Sequence, residues 1–378
     1  MAGQTGDLMK LLFVFAVIFL FPAFAGAQVA PETVREEKLA KPTDSWFLAK
    51  GFEGAFIVDS ATGDMQGTLG AGFFTPAVEP NFPRGEIYAA ESFYDRGFRG
   101  KRTDVLTIFE TERLVAIAEV KIPPKTTPLW FRHYIGMLND DRHVVVFNMT
   151  PAQSVSVVDV IDREFTSEIS TAGCALMLPV EERAFIMVCG DGTLQMIGLN
   201  EKGRESSRTR SEAFFNVEED AVFDQFARTS DGWLMVSRNG KVFHVTAQGK
   251  EIKISEAWSL VNEEDAGEKW RPGGGQPFAF HRGSHVLYVL MHQGEIDTHY
   301  EPGTEVWLFD LDRKKRIGRR ELEKPSTALQ VTQEASGRLL TVNSEQQIDV
   351  YDGKTLQHQR AIKAAMEVNY LQTLGNDD

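Results

Sequence analysis

The chain has 378 residues, 42% of them apolar, with 54 acidic against 40 basic side chains and a net charge of −14. That apolar content is enough for a large core, and the acidity argues against nucleic-acid binding, which relies on Lys and Arg to neutralise phosphates. Two cysteines, Cys174 and Cys189, are too few for a disulfide-dense scaffold.

In chain order, Lys10 precedes the run "LLFVFAVIFLFPAF", and Ala25-Gly26-Ala27 supplies a small-x-small pattern. Residues 1–27 therefore read as a secretory signal cut before Gln28, with Met9 as an alternative start to Met1. The competing reading, an uncleaved anchor, is disfavoured because the run is short for a bilayer span and ends in a cleavage-type motif. No other segment is apolar enough to span, so the expectation is an exported, periplasmic protein that stays off the membrane. Residues 28–44 read as an N-terminal arm, and residues 45–378 as the folded body.

Along that body a strand of the form apolar-x-apolar, often ending in Asp, recurs before a polar turn. It appears as "AFIVD", "LTIFE", "VSVVD", "LQMIG", "VFHVT", "VWLFD" and "IDVYD". Successive copies start about 40 to 65 residues apart, the range of propeller blades. Each copy follows a second apolar strand, and Asp191-Gly192 and Asn239-Gly240 supply the positive φ of hairpin turns. Many of these strands are apolar on both faces, as strands between neighbouring sheets must be. The expected fold is all-β, a seven-bladed β-propeller. The ring closes by pairing "SWFLAK" (45–50) with the leftover run "EVNYLQTL" (367–374), which hides both sheet edges. The one stretch with helical character lies around 257–268.

Four features raise the question of chemistry. The basic run "RGFRGKRTD" (96–104) reads as a solvated loop ahead of a strand. "WRPGGGQP" (270–277) lacks the Lys and Ser/Thr of a phosphate loop, and reads as a rigid turn back into the propeller, with Arg271 available for a carboxylate. His281, His285, His292 and His299 crowd one segment, but His285 and His292 are seven apart on a strand and point to opposite faces. No shared metal is expected there. No catalytic constellation is recognisable, so the expectation for this chain is no catalytic residue, no metal and no cofactor of its own. In an oxidising compartment Cys174 and Cys189 are expected to bond across a hairpin, the alternative being two buried thiols.

Several long stretches resemble the heavy chain of the periplasmic quinoprotein amine dehydrogenases, nearer the aromatic amine type than the methylamine type. They are "RGKRTDVLTIFE", "PAQSVSVVDV", "AGCALMLPVEERAFIMVCGDG", "EAWSLVNEEDAGEKWRPGGGQPFAFHR" and "PGTEVWLFDL", in family order across roughly residues 45–375. The resemblance implies a seven-bladed propeller in a heterotetramer of two heavy and two light chains. It implies a tryptophan tryptophylquinone on the light chain, oxidation of primary amines to aldehyde and ammonia, and a small copper protein as electron acceptor. The six tryptophans here (Trp46, Trp130, Trp233, Trp258, Trp270, Trp307) are scattered in sequence, which agrees with a cofactor borne by the partner. Cys174 and Cys189 match the family's intramolecular disulfide. Phe73, in "GAGFFTP", matches a phenylalanine lining the mouth of the quinone pocket, with Phe74 one step along and a plain core aromatic as the competing reading. The alternative functions are a stand-alone exported propeller that binds a partner, and a propeller enzyme with a metal in its channel.

Overall fold

The computed structural model describes residues 38–374 apart from 53, 72, 73, 127, 128, 130, 150–152, 365 and 366, so the signal segment and Phe73 lie outside the described residues. The strands form a β-propeller. Five blades stand as separate antiparallel sheets. Blade 1 joins Val368–Thr373, Trp46–Gly51, Ala55–Asp59 and Met65–Leu69. Blade 2 runs Val78–Asn81, Glu86–Arg96, Arg99–Glu110 and Val115–Ile122. Blade 3 runs Ile135–Met137, His143–Asn148, Ser154–Asp159 and Glu164–Ser170. Blade 4 runs Cys174–Val180, Ala184–Cys189, Leu194–Leu199 and Glu205–Arg210. Blade 5 is built on Ala227–Arg228, Gly232–Val236, Lys241–Gln248 and Glu251–Ile254, with Trp258–Ser259 added.

The expected seven separate blades are therefore corrected to five. All seven strand pairs read from the sequence do form hairpins. The last two belong to one eight-stranded sheet, because the strand Lys315–Val331 does not stop between them. Its first part pairs with Gly303–Asp310 and its second with Arg338–Asn343. Pro325 lies just ahead of Ser326, the residue that pairs with both neighbouring strands.

Burial on both faces follows from the sequence pattern. Leu48 packs toward blade 2, while its neighbours Phe47 and Ala49 pack toward the eight-stranded sheet. Apolar clusters of this kind lie between each pair of successive sheets, including the last and the first. One further cluster, with Leu290, Leu308, Leu329 and Leu339, lies inside the eight-stranded sheet. The two chain ends pair as expected, Phe47 opposite Thr373 and Ala49 opposite Leu371. Gln276 clamps that closing strand, donating to Leu371 O and accepting from Leu371 N at 2.8 Å each.

The helical stretch reduces to one short helix, Glu263–Gly267, held by an Asn262/Asp265 capping box. Among the described residues no helix is long and apolar enough to cross a membrane.

Candidate functional site

"RGFRGKRTD" is not a loop. It forms the tip of the hairpin between Glu86–Arg96 and Arg99–Glu110, where the chain reverses at Gly97-Phe98. Tyr94 and Phe98 on this tip pack around Phe74, with ring centroids 5.2 and 5.9 Å away. Phe98 remains 69% exposed and Phe93 46%. Leu129 and Met149, from the segments that follow blade 2 and the second strand of blade 3, are also exposed. The exposed pair Phe93 and Phe98 at the end of blade 2 suits contact with another surface better than contact with water.

Beneath this apolar tip is a buried polar network. Arg102 grips Asp104 through both carboxylate oxygens at 2.6 and 2.7 Å and also donates to Lys125 O. Ser92 Oγ donates to the same carboxylate at 2.6 Å, and the Lys125 N–H does so at 3.2 Å. Lys125 Nζ reaches Phe74 O at 2.7 Å and Thr126 O at 3.3 Å. Lys50 Nζ donates to Gly51 O at 2.6 Å. Glu91 accepts from Thr107 and, at 3.3 Å, from Thr75. Lys50, Glu91, Asp104 and Lys125 are all buried.

Burial governs the charge of the two lysines, since a low-dielectric site disfavours the ammonium form. Desolvation pulls Lys50 down to about 7, against the opposing pull of Glu91. It pulls Lys125 down to about 7 as well, against Asp104. Both amines therefore lose their charge more readily than an exposed lysine would. The network holds the backbone at 74 against the segment at 125–126, and a bridge from Lys125 to Asn148 continues it into blade 3. It anchors the aromatic tip.

Sequence reading missed these residues. The available signal was a charge inside an apolar strand: Lys50 closing "SWFLAK" and Glu91 within "IYAAESFY". Such charges are kept only where partners exist in the fold.

Cys174 and Cys189 are bonded, as expected, from directly opposed positions on neighbouring strands of blade 4. Arg210 Nη2 sits 3.1 and 3.2 Å from their sulfurs. The four histidines divide between the two ends of the hairpin Phe278–His281 and Val286–Gln293. His281 bonds Ser284 and Glu334 O, while His292 bonds Thr298. Among the described residues no three His, Cys, Asp or Glu side chains are placed to share a metal ion.

The tryptophans are less scattered than their numbering suggests. Trp270 and Trp307 meet at 5.2 Å, with Arg319 stacked on both and Arg316 on Trp307. Their indole N–H groups donate to Glu268 and Glu305. "WRPGGGQP" begins as a strand, Trp270–Pro272, paired with Val286–Gln293. Gly273 and Gly274 are then required by close approach. A Cβ at Gly273 would lie 2.2 Å from the His292 ring, and one at Gly274, where φ is +111°, would lie 2.6 Å from Thr327 O. Arg271 Nε has no hydrogen-bond partner among the described residues.

Comparison with known proteins places this geometry in context. A heavy chain of methylamine dehydrogenase from Methylophilus methylotrophus is 27% identical over 274 residues, 71% of this chain and 67% of that protein. Its counterpart from Paracoccus versutus is 26% identical over 314 residues, 81% of this chain and 72% of that protein. The solved periplasmic gluconolactonase of Pseudomonas aeruginosa superposes with a TM-score of 0.57 over 86% of this chain and 98% of its own, at 12% identity, a likeness of fold alone. The family described as "Methylamine dehydrogenase heavy chain (MADH)" matches residues 46–371, nearly every strand of the propeller, and the chain belongs to that family.

Proposed function

We propose that this chain is the heavy, non-catalytic subunit of an amine dehydrogenase that oxidatively deaminates primary amines to aldehyde and ammonia. In this reading a separate light chain carries the tryptophan tryptophylquinone, two heavy and two light chains assemble, and electrons leave to a small copper protein. The observation that carries it is the family match across residues 46–371. The environment of the tryptophans supports it: Trp270 and Trp307 are committed to packing under arginines, with their N–H groups bound to carboxylates. The exposed tip around Phe93 and Phe98 is the surface offered to the light chain. Phe73 is the side chain assigned to the mouth of the quinone pocket, on the strength of the family resemblance.

Two finer readings belong to the same proposal. The sequence stands nearer the aromatic amine type of this family. The mature protein begins at Gln28 in the periplasm, an oxidising compartment in which the Cys174–Cys189 bond persists.

The test is co-expression. The chain produced alone should oxidise no amine, while the chain produced with its light chain should yield a complex with quinone absorbance that oxidises primary amines. Amine oxidation by the isolated chain would refute the reading, as would failure to bind any quinone-bearing light chain.

A further inference from the structure

A cavity of about 440 Å³ opens between blade 5 and the eight-stranded sheet. Its volume falls within the range of small-ligand pockets, about 300–1,000 Å³. One wall is apolar and largely aromatic, made by Trp258, Phe280 and Leu311. Phe280 is buried, whereas Trp258 and Leu311 are only partly covered and pack against the core beneath.

The rest of the lining is polar and already oriented. Thr229 Oγ1 donates to Asp231 Oδ1 at 3.0 Å and lies 3.1 Å from His244 Nε2. Asp231 Oδ1 also lies 3.2 Å from His244 Nε2, so hydroxyl, carboxylate and imidazole form one cluster on this wall. On the facing side His285 Nδ1 lies 3.1 Å from Asp312 Oδ1. A carboxylate only accepts, so the His285 Nδ1–H donates to it. Both imidazoles are thus fixed by a carboxylate-bearing partner from their own sheet, and both face the same cavity.

Charge narrows the ligand. Asp231 and Asp312 disfavour an anion, and Arg282 and Lys314 on the same lining disfavour a cation. What remains is a neutral molecule with several hydroxyl donors and one apolar face. We propose that this inter-sheet cavity binds a neutral pyranose sugar, its C–H face against Trp258 and its hydroxyls donating to His244, His285 and the two aspartates. The site is open and its carboxylates are exposed, so the expected affinity is weak, a Kd of about 1 mM. A free sugar and the end unit of an oligosaccharide share this chemistry.

The experiment is saturation-transfer NMR on the full mature chain, with methyl glucoside and maltohexaose as probes and phenethylammonium and benzoate as ionic aromatic controls. Saturable transfer, strongest at the pyranose ring C–H protons and weakened about tenfold or more in affinity by Trp258→Leu, supports the proposal. Asp312→Ala guards against a misfolded tryptophan variant: its position is exposed, so it should lower sugar binding and leave the melting temperature unchanged. A preference for maltohexaose identifies a glycan end, and equal binding identifies a free sugar. Absence of saturable transfer to either sugar overturns the proposal. So does binding that survives both substitutions, or displacement of the sugar by either ionic control at lower concentration. None of these outcomes depends on the presence of a light chain.

Discussion

Lys125 Nζ donates to the carbonyl oxygen of Phe74 at 2.7 Å, joining two segments 51 residues apart and holding the residue whose ring packs against Tyr94 and Phe98 of the aromatic tip. Burial keeps this amine and that of Lys50 near 7 in the folded chain, against an ordinary value of 10.5. Between those values the unfolded chain binds more protons at these sites than the folded chain, so stability rises with pH. The penalty is complete below about 7 and fades as pH approaches 10.5. Each lysine contributes a slope of up to about 1.4 kcal/mol per pH unit. Lys50→Met and Lys125→Met should each flatten the curve, read by urea unfolding across this window. Slopes identical to the parent in both variants would show that the amines stay protonated.

The Cys174–Cys189 bond closes a separation of 15 residues. In the chain-entropy account a loop of that size is worth about 3 kcal/mol. Replacing both cysteines by serine should lower the unfolding free energy by about that amount, with the midpoint falling and the denaturant slope rising slightly as the unfolded chain expands. The parent protein, unreduced, should show no thiol that reacts with an alkylating reagent.

Ring closure rests on the strand Val368–Thr373 and on Gln276, which bonds Leu371 twice. Removing residues 367–378 would strip Trp46–Gly51 of one of its two strand partners and expose an edge, with aggregation as the expected result on size-exclusion chromatography. Gln276→Leu is the milder version. It leaves a buried N–H and carbonyl of Leu371 without their side-chain partner, at a cost of about 1–3 kcal/mol each. A truncated chain that stays monodisperse with its original melting temperature would rule out this closure.

Phe73 and Phe74 should separate by function. Under the proposed reading Phe73→Ala changes the ratio of kcat/KM between small and bulky amines, a discrimination of about 1–3 kcal/mol for one misfitted methylene. Phe74 packs on Tyr94 and Phe98, so Phe74→Ala should instead weaken light-chain binding while leaving that ratio unchanged. Steady-state kinetics of the complex, set beside its dissociation constant, would distinguish the two. Proportionate effects of both substitutions on every amine would argue against a gate at Phe73.

Features set by short-range pattern were legible in the sequence. The seven hairpins, their apolar faces, the cystine bridge and the pairing of the chain ends each follow from strand periodicity, turn residues or an unpaired edge, and these are local constraints. Tertiary structure decided what depends on where strands stop and which side chains meet. Nothing around Pro325 announces that Lys315–Val331 runs on from one sheet position to the next, because an outer and an inner strand carry the same alternation. Lys50, Glu91 and Lys125 look like isolated charges until the ends of neighbouring strands bring them together out of water, where desolvation rather than sequence sets their protonation. Trp270 and Trp307, and Gly273 and His292, likewise meet only across paired strands. Periodicity specifies which face of a strand is buried, and only the packed sheets specify what it is buried against.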